Sequence, residues 1–243
     1  MAGVIRSGPP RERARVTPRR RLPARLDALS LTREQRQRVH LAGAVLLDYP
    51  DAAWFGKLAT VRSLVAGLPA ELRDPLDRFM DAALAASASR AEASTWEQHY
   101  VATFDLKRKC SLYLTYFATG DTRKRGTALV TILEAYRAAG WEFDADELPD
   151  YLPAVLEFSA VSDSEIAGAL LSSHREGIEV LRAALEQMSS PWADVVRAVT
   201  LSLPPIDDAT REHYLDLISE GPPTETVGLS FLGNLPPFEP HAQ

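Results

Sequence analysis

From about residue 30 onward, apolar side chains recur every three to four positions, the spacing of one face of an α-helix. Thr32 and Gln35 form a capping box, the hydroxyl taking up a first-turn N–H while the amide reaches back. Val39, Ala42, Val45 and Leu46 make the apolar face of the helix they open, which Tyr49-Pro50 ends. Trp54, Leu58, Val61, Val65 and Leu68 give a second stripe, stopped by Pro69, and Leu72, Leu76, Phe79, Met80 and Ala83 a third. A further capping box, Ser94 with Glu97, launches Trp96, Tyr100 and Phe104.

Asp121 is placed to cap a helix with Leu129, Ile132, Leu133 and Tyr136 inward, and Gly140 sits where a C′ glycine closes it. Ile178, Leu181, Leu185 and Met188 form another stripe. Ser190 and Pro191 supply an N-cap and first-turn pair for Trp192, Val195, Val196 and Val199. Thr210 caps a last short helix with Tyr214, Leu217 and Ile218, ended by Gly221 and Pro222. No period-two alternation, hairpin dipeptide or fixed-period repeat accompanies them. The pattern predicts an all-α fold, with a single compact multi-helix domain over 26–220, a disordered arm at 1–25 and a proline-rich tail at 221–243.

Composition adds exclusions. With 46% hydrophobic and 25% charged residues among 243, wholesale disorder is ruled out. The longest apolar run, Leu41 to Leu47, falls far short of the roughly 20 residues a membrane span needs, so no membrane insertion is expected. No apolar stretch follows the early arginines, twin Arg19-Arg20 included, so an export signal is not expected and the cytoplasm is the expected compartment. The single cysteine, Cys110, makes no internal disulfide and reads as a small buried hydrophobe. The net charge of −6 divides unevenly: residues 1–25 carry eight arginines against one acid, +7, which leaves −13 on the rest. Basic arms of this kind touch nucleic acid or solvate a terminus. The acidic body repels phosphate, and a DNA-binding regulator is the weaker alternative.

Catalytic signatures are missing. Gly120 to Gly126 fails the phosphate-loop pattern, lacking its spacing and its Lys-Ser/Thr pair. The acidic run Glu142, Asp144, Asp146, Glu147 and Asp150 fails as a calcium loop, because Leu148 takes a ligand slot and Pro149 the glycine slot. The five histidines show no metal-site spacing, and no Gly-x-Ser-x-Gly elbow exists. An enzyme using scattered carboxylates such as Asp105, Asp121 and Glu147 would need perturbed acids in a closed pocket. The expectation is a protein that is not an enzyme.

Residues 100–158 hold ten of the nineteen aromatics, two basic triplets (Lys107-Arg108-Lys109 and Arg123-Lys124-Arg125) and the acidic run. Aromatics beside charges of both signs suit a binding surface as well as a core. Cations in the first turn of the helix opened by Asp121 oppose its dipole, so they pair with an acidic segment or face an anionic partner. With Asp150 as N-cap, Pro153 falls in the next helix's first turn and Tyr151 is held in a rigid corner beside Glu147.

Tyr100-Val-Ala-Thr-Phe-Asp105, Cys110-Ser-Leu-Tyr-Leu-Thr-Tyr116, Gly120-Asp-Thr-Arg-Lys-Arg-Gly126 and Glu147-Leu-Pro-Asp-Tyr-Leu-Pro153, followed by Leu156-Glu-Phe158, resemble the NarJ family. These are assembly chaperones of respiratory nitrate reductase, within the wider all-helical group of redox-enzyme maturation chaperones. The match extends from about 34 to 229, including Gly221 to Gly228. In the wider group a Glu-Pro-x-Asp-His corner lies at the signal-peptide groove. Here proline has moved to 149 and Tyr151 stands for the histidine, which fits NarJ rather than its relatives serving exported enzymes.

The resemblance implies binding, in the cytoplasm, of the immature (apo) catalytic subunit of respiratory nitrate reductase through its N-terminal segment. It implies support for molybdenum cofactor insertion and timed membrane assembly, with the chaperone absent from the finished enzyme. No cofactor is implied as permanently bound; contact with the molybdenum cofactor would be transient, through the client, and cofactor-delivery proteins are further implied partners. A sister chaperone for another molybdenum enzyme is the nearer alternative. The expected client-binding groove is lined by Tyr100, Phe104, Tyr113, Tyr116 and Tyr151, with Glu147 and Asp150 for basic groups and Asp105 and Arg123 on the rim.

Overall fold

The computed structural model describes residues 26–120 and 123–203. The basic arm, Asp121 and the tail with its Thr210 helix lie outside the described residues. Within them run α1 (Arg33–Leu46), α2 (Ala52–Val65), α3 (Ala70–Ala86), α4 (Arg90–Phe104), α5 (Tyr116–Thr119), α6 (Arg123–Ala138), α7 (Leu152–Val161), α8 (Glu165–Ser173), α9 (Arg175–Gln187) and α10 (Trp192–Ser202). A 3-10 turn, Arg108–Cys110, follows α4. No strand occurs among the described residues, so the fold is all-α as the periodicity predicts.

Helix starts follow the chain's capping chemistry in some places and depart from it in others. The Thr32–Gln35 box forms with both bonds in place. Gly140, at φ +80°, ends α6: its N–H bonds to the Arg137 carbonyl and that of Trp141 to Tyr136, the paired closure of a Schellman motif. The fourth helix instead begins five residues before the expected box. Ser89 caps the Glu92 N–H there, and Ser94 lies inside the helix. Ser190 makes no capping bond, its hydroxyl being buried without a partner among the described residues, and α10 starts from Pro191. Helix α6 buries Ile132, Ala135, Tyr136 and Ala138, while Leu129 and Leu133 are half-buried at its flank.

The core is built around α10, which packs against α1, α3 and α9, while α1 also lies along α7. Gly43 permits this approach: a Cβ there would stand 2.8 Å from Val199 Cγ2 and 3.2 Å from Leu156 Cδ1. Trp192 fills the centre, its ring 5.0 Å from Trp96, 5.5 Å from Phe104 and 5.6 Å from Tyr100.

His40 ties α1, α7 and α10 together. Ser202 Oγ gives its proton to the Val199 carbonyl, so His40 Nε2–H donates to Ser202 at 3.0 Å and Nδ1 accepts from Ser159 at 2.9 Å. Burial, aided by Arg36, lowers this imidazole to about 3. The unfolded chain binds its proton near the ordinary value of 6.5, so His40's contribution to stability is complete above that pH. It is lost by ~1.4 kcal/mol per pH unit as pH falls from there toward about 3. Urea midpoints measured between neutral pH and pH 4 are expected to fall less steeply for His40→Gln; equal slopes would clear this residue.

Candidate functional site

The two segments that carry the tyrosines are stitched together by backbone pairing. Leu114 N–H donates to the Asp150 carbonyl at 2.9 Å and Leu152 N–H to that of Leu112 at 2.7 Å, forming an antiparallel bridge between Tyr113 and Tyr151. Pro149 and Pro153 restrict the partner segment, and the Tyr136 ring beneath it stacks 4.4 Å from Phe158.

This pairing lines up a ladder of rings. Tyr49, in the corner after α1, meets Tyr100 edge-on at 5.5 Å. The Tyr100 hydroxyl donates to the Leu47 carbonyl at 2.9 Å. Its single proton is thereby used, so the Tyr151 hydroxyl, 3.2 Å away, donates to Tyr100. Tyr151 lies 5.6 Å from Tyr113, whose hydroxyl donates to Glu147 Oε1 at 2.9 Å and whose ring carries the Arg125 guanidinium at 5.4 Å. Burial is the main cause that raises all three inner hydroxyls, Tyr151 to about 12, so Tyr100, Tyr113 and Tyr151 are neutral at physiological pH. Asp48, Glu147 and Asp105 each act electrostatically on Tyr151, and all three are exposed. The result is an aromatic ridge, wet along one edge and rimmed by acids.

The expected site residues divide accordingly. Tyr113 and Tyr151 are half-buried at the ridge, beside the exposed Glu147. Tyr100 is 4% and Phe104 7% exposed; they back the ridge, with Phe104 packed 4.7 Å from Tyr100. Tyr116 opens α5, half-buried, with its ring 6.3 Å from Phe117 rather than in the ladder. Asp105 is the exposed C-cap of α4, and Arg123 is exposed in the first turn of α6.

Asp150 corrects the expectation most. It neither caps α7, whose N-cap is Tyr151, nor faces solvent: it is wholly buried. Its Oδ2 accepts from both the backbone N–H and the hydroxyl of Thr115 and lies 3.8 Å from Arg125 Nη2. The cation at the start of α6 thus pairs with the acidic segment, while Arg123 and Lys124 stay exposed. Asp150 holds the corner's shape and is not an open acceptor for a partner. Sequence reasoning missed Asp48 and Tyr49; an exposed aromatic after a helix end, next to an acid, was the available signal. Cys110 is buried and its thiol is pushed up by burial. Among the described residues no group of His, Cys, Asp and Glu is arranged to hold a metal, and no helix is long and apolar enough to cross a membrane.

Known proteins resemble this chain over the same region. The family model described as nitrate reductase delta subunit matches residues 66–198. Bacillus subtilis "Probable nitrate reductase molybdenum cofactor assembly chaperone NarJ" is 33% identical over 169 residues, which are 69% of this chain and 89% of that protein. Escherichia coli K12 "Nitrate reductase molybdenum cofactor assembly chaperone NarJ" is 32% identical over 61% of this chain and 62% of its own length. The Mycobacterium tuberculosis "Nitrate reductase-like protein NarX" is 38% identical over 64% of this chain, but the match spans only 23% of NarX.

Proposed function

The chain belongs to the nitrate reductase delta subunit family, and from that premise we propose that it is a system-specific chaperone for assembly of a respiratory nitrate reductase, not an enzyme. It binds the immature catalytic subunit in the cytoplasm through that subunit's N-terminal segment. It keeps the subunit open for molybdenum cofactor insertion, and it leaves before the finished enzyme docks at the membrane. Contact with the cofactor is transient and made through the client.

The observation that carries the site is the tyrosine ridge rimmed by Asp48, Asp105 and Glu147. An amphipathic segment laying apolar side chains on Tyr49, Tyr113 and Tyr151 gains contact area there, while its basic or N-terminal groups meet the three carboxylates. Asp150 and Arg125 act behind the surface, fixing the bridge that sets the ring spacing.

Calorimetric titration with a synthetic peptide copying the N-terminal segment of the catalytic subunit tests this reading. The expected result is saturable binding with a negative heat-capacity change, weakened by salt. Reversing two exposed acids, Asp48→Lys with Glu147→Lys, is expected to weaken it about tenfold or more, while stability falls only by the ~1 kcal/mol of the exposed Tyr113–Glu147 hydrogen bond. Unchanged affinity in this double variant removes the ridge from the site. Absence of binding to the peptide, together with capture of the whole apo-subunit, moves the recognised segment elsewhere in the client.

A further inference from the structure

The basic triplet Lys107-Arg108-Lys109 plays no part in the acidic ridge. It forms and flanks the 3-10 turn after α4, with all three side chains exposed. None of the three pairs with a carboxylate among the described residues, whereas Arg33, Arg38, Arg62, Arg73, Arg78 and Arg182 all do. Lys107 reaches only the Met188 thioether, a weak acceptor, at 3.1 Å.

These cations rim a hollow of about 290 Å³ whose remaining walls are Cys110 from the turn, Ala184 and Gln187 from α9, and Met188, the C-cap of α9. The hollow therefore has a largely apolar floor and a cationic edge. Leu106, immediately before Lys107, is 75% exposed, the highest value among the large exposed hydrophobics of the described residues. An apolar centre with a charged rim is the composition of a protein interface.

We propose that this hollow is a second docking site, one that takes an acidic polypeptide segment of a partner protein and seats one apolar side chain of it between the turn and α9. Charge complementarity argues for that occupant: the cations stand without a carboxylate partner among the described residues, in a body whose residues beyond 25 carry −13. A small phosphate ligand is less well served. The Cys110 N–H is spent on the Lys107 carbonyl, and all three cationic side chains are exposed. An extended segment with several carboxylates offers one to each of the three consecutive cations. The site uses none of the ridge residues, so the inference stands apart from the client-binding reading.

The test uses the full chain and a fluorescein-labelled synthetic peptide of alternating glutamate and leucine, read by fluorescence anisotropy. Saturable 1:1 binding is expected, weakened about tenfold or more by Lys107→Ser with Arg108→Ser and Lys109→Ser, and about as much by replacing the peptide's leucines with serine. The three positions are exposed, so the unfolding midpoint should not move. The charge-reversed chain, with glutamate at all three positions, is expected to lose the acidic peptide and to bind a lysine–leucine peptide in its place. Equal affinity in the serine variant overturns the proposal, as does the absence of saturable binding. Displacement of the peptide by millimolar pyrophosphate would reassign the hollow to small anions. The chain's own residues 204–243 carry seven acids against one arginine. If replacing those acids with their amides raised peptide affinity about tenfold, the tail would be the occupant and the partner segment would be overturned.

Discussion

Replacing Trp192 by alanine is expected to cost about 3–5 kcal/mol of stability, the range for deleting a fully buried large aromatic. The indole has no exposed surface and lies between 5.0 and 5.9 Å from the rings of Trp96, His99, Phe104, Tyr100 and Phe79. These rings come from α3 and α4, so collapse around the void would have to move two helices at once. Trp192→Phe should be far milder. Its N–H makes no hydrogen bond among the described residues, and phenylalanine therefore removes volume without orphaning a partner. Urea unfolding of both variants checks this. A loss below about 1 kcal/mol for alanine would show that the cluster repacks freely. Because Tyr100 and Phe104 rest on Trp192, peptide affinity at the ridge should fall with the alanine variant as well.

Asp150→Ala is expected to cost about 2–4 kcal/mol. Removing one partner of a buried charged network leaves the others unsatisfied, and a hydrogen bond to a charged group is worth about 1.5–3 kcal/mol. The Thr115 N–H and hydroxyl both lose their acceptor, and Arg125 loses a carboxylate at 3.8 Å. The upper part of the range is discounted because the Arg125 side chain is 21% exposed and water screens it. Thr115→Val, which removes only the hydroxyl, should cost about 1.5–3 kcal/mol, the worth of one hydrogen bond to a charged group. Amide exchange distinguishes this account from a general loosening: protection of Leu114 and Leu152 should fall in Asp150→Ala while that of α1 and α10 persists. Equal loss of protection throughout would assign Asp150 to global stability and not to the corner.

The all-α fold was legible because α1, α2, α3, α9 and α10 bury the stripes that the 3.6-residue period marks. Helix α8 was not read: Gly168 and the Ser172-Ser173 pair dilute its periodicity, and it forms through packing on α6 and α7. The misplaced start of α4 has a local cause. Ser89 with Glu92 and Ser94 with Glu97 have the same spacing, and only tertiary contact chooses between them. At the site, residue types pointed to the right segments, but not to the direction of each side chain. Asp150 looked like a helix cap and points inward, because Thr115 lies beside it through a bridge between residues far apart in sequence. Asp48 and Tyr49 join the ridge for the same reason, brought there by the Leu47 carbonyl that accepts from Tyr100.

The bridge between Leu112–Leu114 and Asp150–Leu152 also sets where this chain tolerates change. Both ends of the intervening excursion, which carries α5 and α6, are fastened side by side at one neck. Lengthening a closed loop costs little, about 0.6 kcal/mol for each doubling. Residues added to or removed from the acidic stretch between Trp141 and Asp146 would therefore leave the register of Tyr113 on Tyr151 untouched. A single residue inserted within 112–114 or 150–152 would turn the paired side chains to the opposite face. Variation in length belongs inside the excursion, and the neck is the part of this surface whose spacing is fixed.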